Sequence, residues 1–170
     1  MSLANTPLNL AVIGCIISGS CASGIGASIS FLGMPALIRQ DVSQDALIRQ
    51  WHGIYKRGAA TMPALGASTT LGYWFVAYQM MGSSEWRGFA AAGALTLAIV
   101  PFTLVVMMPT IRELETEIAG EGGSAAKDNK KISRSRGTVE ALLWKWTRLN
   151  VVRSLMPLLG TACAVWNLLS

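Results

Sequence analysis

The single histidine of this 170-residue chain, His52, stands in the run Trp51-His52-x2-Tyr55-x2-Gly58, and a lone cation deep in an apolar stretch, Arg153, follows Asn150 and Trp146. Histidine changes charge near neutral pH without environmental help, which makes His52 the candidate general base. Arg153 comes one turn after Asn150 and two turns after Trp146, so helical spacing predicts a shared face for the three. A guanidinium at bilayer depth costs about 2.5–3.5 kcal/mol on insertion scales, so it should face protein or a water-filled cavity. The alternative is an arginine snorkelling to the headgroups from about 7 Å inside, which 1.5 Å of rise per residue allows. Pro157 strips the carbonyl of Arg153 of its helical donor and leaves an extra acceptor at that level. For His52 the competing reading is an aromatic belt in which Trp51 and Tyr55 anchor an interfacial helix and the imidazole is merely solvated. One histidine without a neighbouring acid or thiolate makes a poor metal site, so no metal ligands are assigned and a cofactor-free site is expected, with a metal bound between chains left open.

These residues are held by four apolar stretches, residues 8–32, 59–81, 86–108 and 149–169, each near the roughly 20 residues a helix needs to cross the hydrocarbon core. The first three contain no Asp, Glu or Lys, and of arginines only Arg87 at the start of the third, where a soluble helix of that length would show a polar face. Composition agrees, at 52% hydrophobic and 14% charged residues, and the length allows one domain, residues 1–170. The fold class expected is all-α, a membrane four-helix bundle with short amphipathic cytosolic helices. The net charge of +5 does not imply nucleic acid, because twelve basic residues fall in the first and third connections against Arg87 alone in the second. That bias puts loops 1 and 3 in the cytosol and both termini on the other side. The N-terminal stretch has no basic flank and is too long for a signal core, so it is read as a retained helix. Cys15, Cys21 and Cys163 are odd in number, lie in apolar stretches and form no C-x-x-C, which leaves them as packing residues.

Along the chain, the first stretch is dense in Gly, Ser and Ala, which suits close helix packing, and Pro35 is expected to close it. Leu47, Ile48, Trp51, Ile54 and Tyr55 at helical spacing predict an amphipathic helix at the interface before stretch two. Pro101 predicts a kink in stretch three, and Glu113, Leu114, Glu117 and Ile118 a short helix beyond it. Residues 120–137 read as a flexible basic loop, and Thr138 as the start of the last helix, with Trp144 and Trp146 at headgroup level.

The ordered set Ser18-Gly19-Ser20, Ser28-Ile29-Ser30, Pro35-Ala36-Leu37, then Trp51-x3-Tyr55-x2-Gly58-x4-Pro63, then Pro101-x-Thr103, Met108-Pro109-Thr110 and Leu114, then Trp146-x3-Asn150-x2-Arg153 resembles the anthrone oxygenase family of small four-helix membrane proteins. The resemblance spans nearly the whole chain. It implies a monooxygenase of aromatic polyketide biosynthesis that oxidises an anthrone, such as emodin anthrone, to the anthraquinone with molecular oxygen as co-substrate and no cofactor. On that reading His52 is the base, Arg153 and Asn150 donate to the developing enolate or peroxide oxygen, and Trp51, Tyr55, Trp146 and Thr103 bind the tricyclic substrate. The expected partners are that small molecule and the lipid bilayer, with self-association left open and an endomembrane location if the source is fungal. A non-catalytic tetraspan scaffold is the competing class, and it leaves Arg153 with Asn150 unexplained. A small multidrug transporter would be expected to hold an acidic residue inside a helix, and none is present.

Overall fold

In the computed structural model, which describes residues 6–119 and 135–169, helices carry the chain almost throughout. Helix α1 (Thr6–Ser28) runs through a π-helical turn (Ile29–Gly33) into α2 (Met34–Ile38). Helix α3 (Gln44–Gln79) is followed by α4 (Trp86–Leu97), the one-turn α5 (Ile99–Pro101), a second π-helical turn (Phe102–Met107) and α6 (Met108–Ala119). Helix α7 (Arg136–Leu169) completes an all-α bundle, with no strand among the described residues. Helices α1 and α4 each pack against α3 and α7, and the diagonal pairs scarcely touch. The apolar segments Pro7–Ile38, Trp86–Ile118 and Arg136–Leu169 are long and apolar enough to cross a membrane. The expected fourth, in α3, falls short on hydropathy because Gly, Ser, Thr, Tyr and Gln dilute its apolar half.

Several expected boundaries move, each for a local reason. Pro35 does not end the first helix. The π-helical turn resets the register so that Pro35 occupies the first turn of α2, where a missing N–H costs nothing. The interfacial helix and stretch two prove to be one 36-residue helix, uninterrupted by Pro63 and started by Ser43, whose Oγ accepts from the Ala46 N–H at 3.3 Å. Pro101 does perturb its helix, as expected, and the disturbance takes the form of α5 and a π-helical turn. The last helix starts at Arg136 rather than Thr138, with the Ser135 carbonyl accepting from Thr138 and Val139. Arg136 is held by Glu140 at 2.9 Å and by the carbonyls of Val42 and Gln40 at 3.0 and 3.3 Å, so residues 136 and 137 belong to the helix and not to the loop. The rest of the expected flexible loop, residues 120–134, lies outside the described residues.

Two apolar clusters sit at opposite ends of the bundle. One gathers Val12, Tyr73, Val76 and Phe89 near the chain termini, and the other Met34, Leu47, Trp51, Ile111, Leu114 and Trp146 near the first and third connections. Between them the helices are stitched by small polar side chains. Ser23 donates to the Ser154 carbonyl at 2.8 Å, and the hydroxyls of Ser18 and Thr69 meet at 2.5 Å. A Cβ on Gly26 would collide with the Ser154 hydroxyl, and one on Gly160 would come within 2.7 Å of the Ala92 carbonyl, so glycine sets the α1–α7 and α4–α7 spacing. The small-residue packing expected of the first stretch is therefore what the bundle uses.

Candidate functional site

The side chains that can do chemistry meet where α3, α6 and α7 come together at the end of the second cluster. Trp51 is the anchor. It is fully buried, lies parallel to Tyr55 one turn on, with centroids 5.6 Å apart and planes 6° apart, and receives Trp146 of α7 edge-on at 5.9 Å. His52, the next residue, points to a partly open edge, tilted against Trp51 and Tyr55 at 6.2 and 6.4 Å. Its Nε2 stands 3.8 Å from Oε1 of Glu115 on α6, with 28% and 40% of the two side chains exposed. On the other side, the Tyr55 phenol lies within electrostatic reach of both Glu115 and Arg153. Burial, and then the Glu115 carboxylate, push that phenol above its ordinary value, while the Arg153 guanidinium pulls the other way. The neutral phenol is thus the form present near neutral pH, a donor between an anion and a cation. Arg153 is partly buried, and among the described residues no carboxylate pairs with it; the ionisable group within its electrostatic reach is the Tyr55 phenol.

The expected site residues divide in three. His52 and Tyr55 are neighbours at the open edge, and Arg153 lies within electrostatic reach of the Tyr55 phenol. Trp51 and Trp146, expected as walls for a substrate, are instead core residues at 0% and 3% exposure, because the indoles meet in the apolar cluster that Ile111 and Leu114 of α6 help to close. They back Tyr55 rather than face solvent, and their Nε1 atoms carry no partner. Asn150 and Thr103 leave the group. Asn150 is 1% exposed and commits both amide hydrogens to α1, to the Gly26 carbonyl at 3.1 Å and to the Ser30 Oγ at 2.8 Å, so it is not the expected donor to a substrate oxygen. Its Oδ1 is left without a partner. The shared face predicted for α7 splits because position 150 is rotated about 40° from 146 and 60° from 153, enough to meet α1 instead of α3. Thr103 turns its hydroxyl onto the Ile99 carbonyl at 2.7 Å, satisfying the π-helical turn. Glu115 was not among the expected residues. It lies 63 positions from His52, and the only hint in the sequence was its place beside the apolar stripe of a short amphipathic helix.

Two surface grooves lie away from this cluster. One of about 630 Å³ follows Trp144, Lys145 and Arg148 on α7, and one of about 390 Å³ runs between α2 and α3 past Gln40, Gly53 and Arg57. Both are open furrows without converging acid–base groups, so the His52 edge remains the better chemical candidate. Among the described residues, no three of His, Cys, Asp and Glu converge as metal ligands would.

The family model of the anthrone oxygenases matches residues 51–163, a span that takes in every candidate residue above. The chain belongs to the anthrone oxygenase family. Anthrone oxygenase AgnL2 of Paecilomyces divaricatus is 30% identical over 164 residues, covering 89% of this chain and 94% of the relative. Anthrone oxygenase nsrD of Aspergillus novofumigatus is 37% identical over 147 residues, covering 85% of each. Monooxygenase hypC of Dothistroma septosporum is 32% identical over 157 residues, with 91% and 79% covered. No solved structure matches the chain.

Proposed function

We propose that this protein oxidises an anthrone to the corresponding anthraquinone with molecular oxygen, at the edge formed by His52, Tyr55 and Arg153. The observation that carries the reading is a lone histidine tilted against Tyr55, with an arginine that no carboxylate pairs within electrostatic reach of the same phenol, in a chain of the anthrone oxygenase family. The central methylene of an anthrone is doubly benzylic and conjugated to the ketone, so a modest base can remove its proton. His52 takes that proton, and Arg153 with the Tyr55 phenol donates to the oxygen on which the charge collects. The anthranolate passes one electron to dioxygen, the resulting radical and superoxide combine, and the peroxide takes up a proton. Loss of water from this hydroperoxide, the ring hydrogen leaving with the distal OH, gives the quinone. One dioxygen is consumed and one water released per quinone. The substrate's own electrons reduce the oxygen, so the reading calls for no cofactor.

Oxygen uptake by purified, detergent-solubilised protein with emodin anthrone tests this directly, read against the spontaneous oxidation of the same substrate and repeated with a chelator. Uptake well above background, with one quinone formed per dioxygen and no loss on chelation, is expected. A rate equal to background would sink the reading.

The charge bias adds an orientation, with both the first and the third connections in the cytosol. Single cysteines in place of Ser83 and Ser124 should react with an impermeant reagent from opposite sides of the membrane. Labelling of both from one side would overturn that placement.

A further inference from the structure

We propose that Glu115 is the positioning residue of His52, holding a proton on Nε2 so that Nδ1 presents its lone pair to the substrate. The inference rests on the reading of His52 as base and adds a residue of α6 to it. The 3.8 Å approach is set by the core rather than by chance on the surface. Each partner is one step along the chain from a fully buried anchor: His52 follows Trp51, and Glu115 follows Leu114, both at 0% exposure and in the same apolar cluster. Ile111, one turn before Glu115 and 1% exposed, fixes the rotation of α6 as well. An exposed ion pair is worth little because two mobile side chains must be ordered to form it. Here the backbone atoms of both are already held by their neighbours.

An imidazole must carry its proton on one nitrogen to offer the other as a base, and a carboxylate at one nitrogen decides which. Glu115 faces Nε2, so the N–H belongs there. When Nδ1 takes the methylene proton, the imidazolium that results sits against the carboxylate. Catalytic hydrogen bonds are often long before substrate binds and tighten in the complex, which accommodates a separation of 3.8 Å. The other charged and titratable groups near His52 are Tyr55, with Arg153 of α7 beyond it, and, by helical spacing on α3 itself, Arg49 and Lys56. The carboxylate that approaches the imidazole is that of Glu115.

The test uses the full-length protein in detergent, assayed for anthrone oxidation. Glu115→Ala should lower kcat about tenfold and leave KM within twofold, since Glu115 does not touch substrate. Glu115→Asp should recover a large part of the loss. In a His52→Gln background, Glu115→Ala should cost less than a further twofold. Because His52 is the only histidine, nitrogen NMR of the labelled protein reads its tautomer without overlap, and the proton should sit on Nε2 in the native protein and redistribute in Glu115→Ala. A tenfold loss that persists without His52, or a Glu115→Ala protein as active as the native one, would overturn the role of Glu115 and leave the base assignment standing. A His52→Gln protein with native activity would instead remove the base, and this proposal with it.

Discussion

Replacement of His52 by glutamine is expected to lower the rate of anthrone oxidation at neutral pH by roughly 10² to 10⁴, the usual contribution of a general base. Glutamine keeps a planar polar side chain of similar reach, so the stack of Trp51 on Tyr55 beside it should survive, and substrate binding with it. The half-open position of His52 makes a folding defect an unsuitable explanation for such a loss. The loss should shrink at alkaline pH, where the anthrone ionises without help and the step that needs a base is bypassed. Steady-state kinetics across pH, with the amount of folded protein checked by its elution from a sizing column, measures both effects. A variant that turns over normally at pH 7 would take histidine out of the mechanism and leave the guanidinium to acidify the substrate alone.

The second large effect concerns Arg153. Arg153→Lys keeps the positive charge and shortens the donor set from a planar fork to a compact ammonium, which cannot address a delocalised oxyanion and the Tyr55 phenol together. Loss of an oxyanion donor costs about 10² to 10³ in kcat in well-studied enzymes, and retention of the charge should reduce that to about 10 to 10² here. The expected signature is a fall in kcat with little change in the amount of protein in the membrane fraction. Full activity in the lysine variant would mean that Arg153 only reaches for the headgroups.

Hydropathy carried three of the four bundle helices and the length of the remaining apolar stretch the fourth, while residue type singled out His52 and Arg153, because a solitary histidine and a cation inside an apolar helix are unusual wherever they occur. What failed was orientation. Asn150 lies within 60° of Arg153 on α7, and nothing in the sequence says whether α1 or α3 borders that sector. Trp51 and Trp146 have the composition of an aromatic belt, and only the convergence of α3, α6 and α7 makes them interior. Glu115 looks like any of the acidic residues on the outer face of α6 until Leu114 and Ile111 fix the helix against α3. The helix ends misread at Pro35 and Thr138 have separate causes, a π-helical turn in one case and a long-range clamp from Arg136 to the Gln40 and Val42 carbonyls in the other, neither written in local propensity.

The unbroken course of α3 has a consequence for how the protein meets its substrate. Thirty-six residues make a rod of about 54 Å, well beyond the roughly 30 Å of hydrocarbon it would cross. In the proposed orientation His52 lies about 10 Å up that rod from Ala59, at the seam between two solvents. On the proposed reading, protons exchange there with bulk water, while a flat, poorly soluble tricycle would arrive by lateral diffusion after partitioning into lipid. The concentration that governs saturation is then a mole fraction in the bilayer. An apparent KM quoted per volume of buffer should fall as lipid or detergent is withdrawn at constant total substrate, even though nothing in the protein has changed.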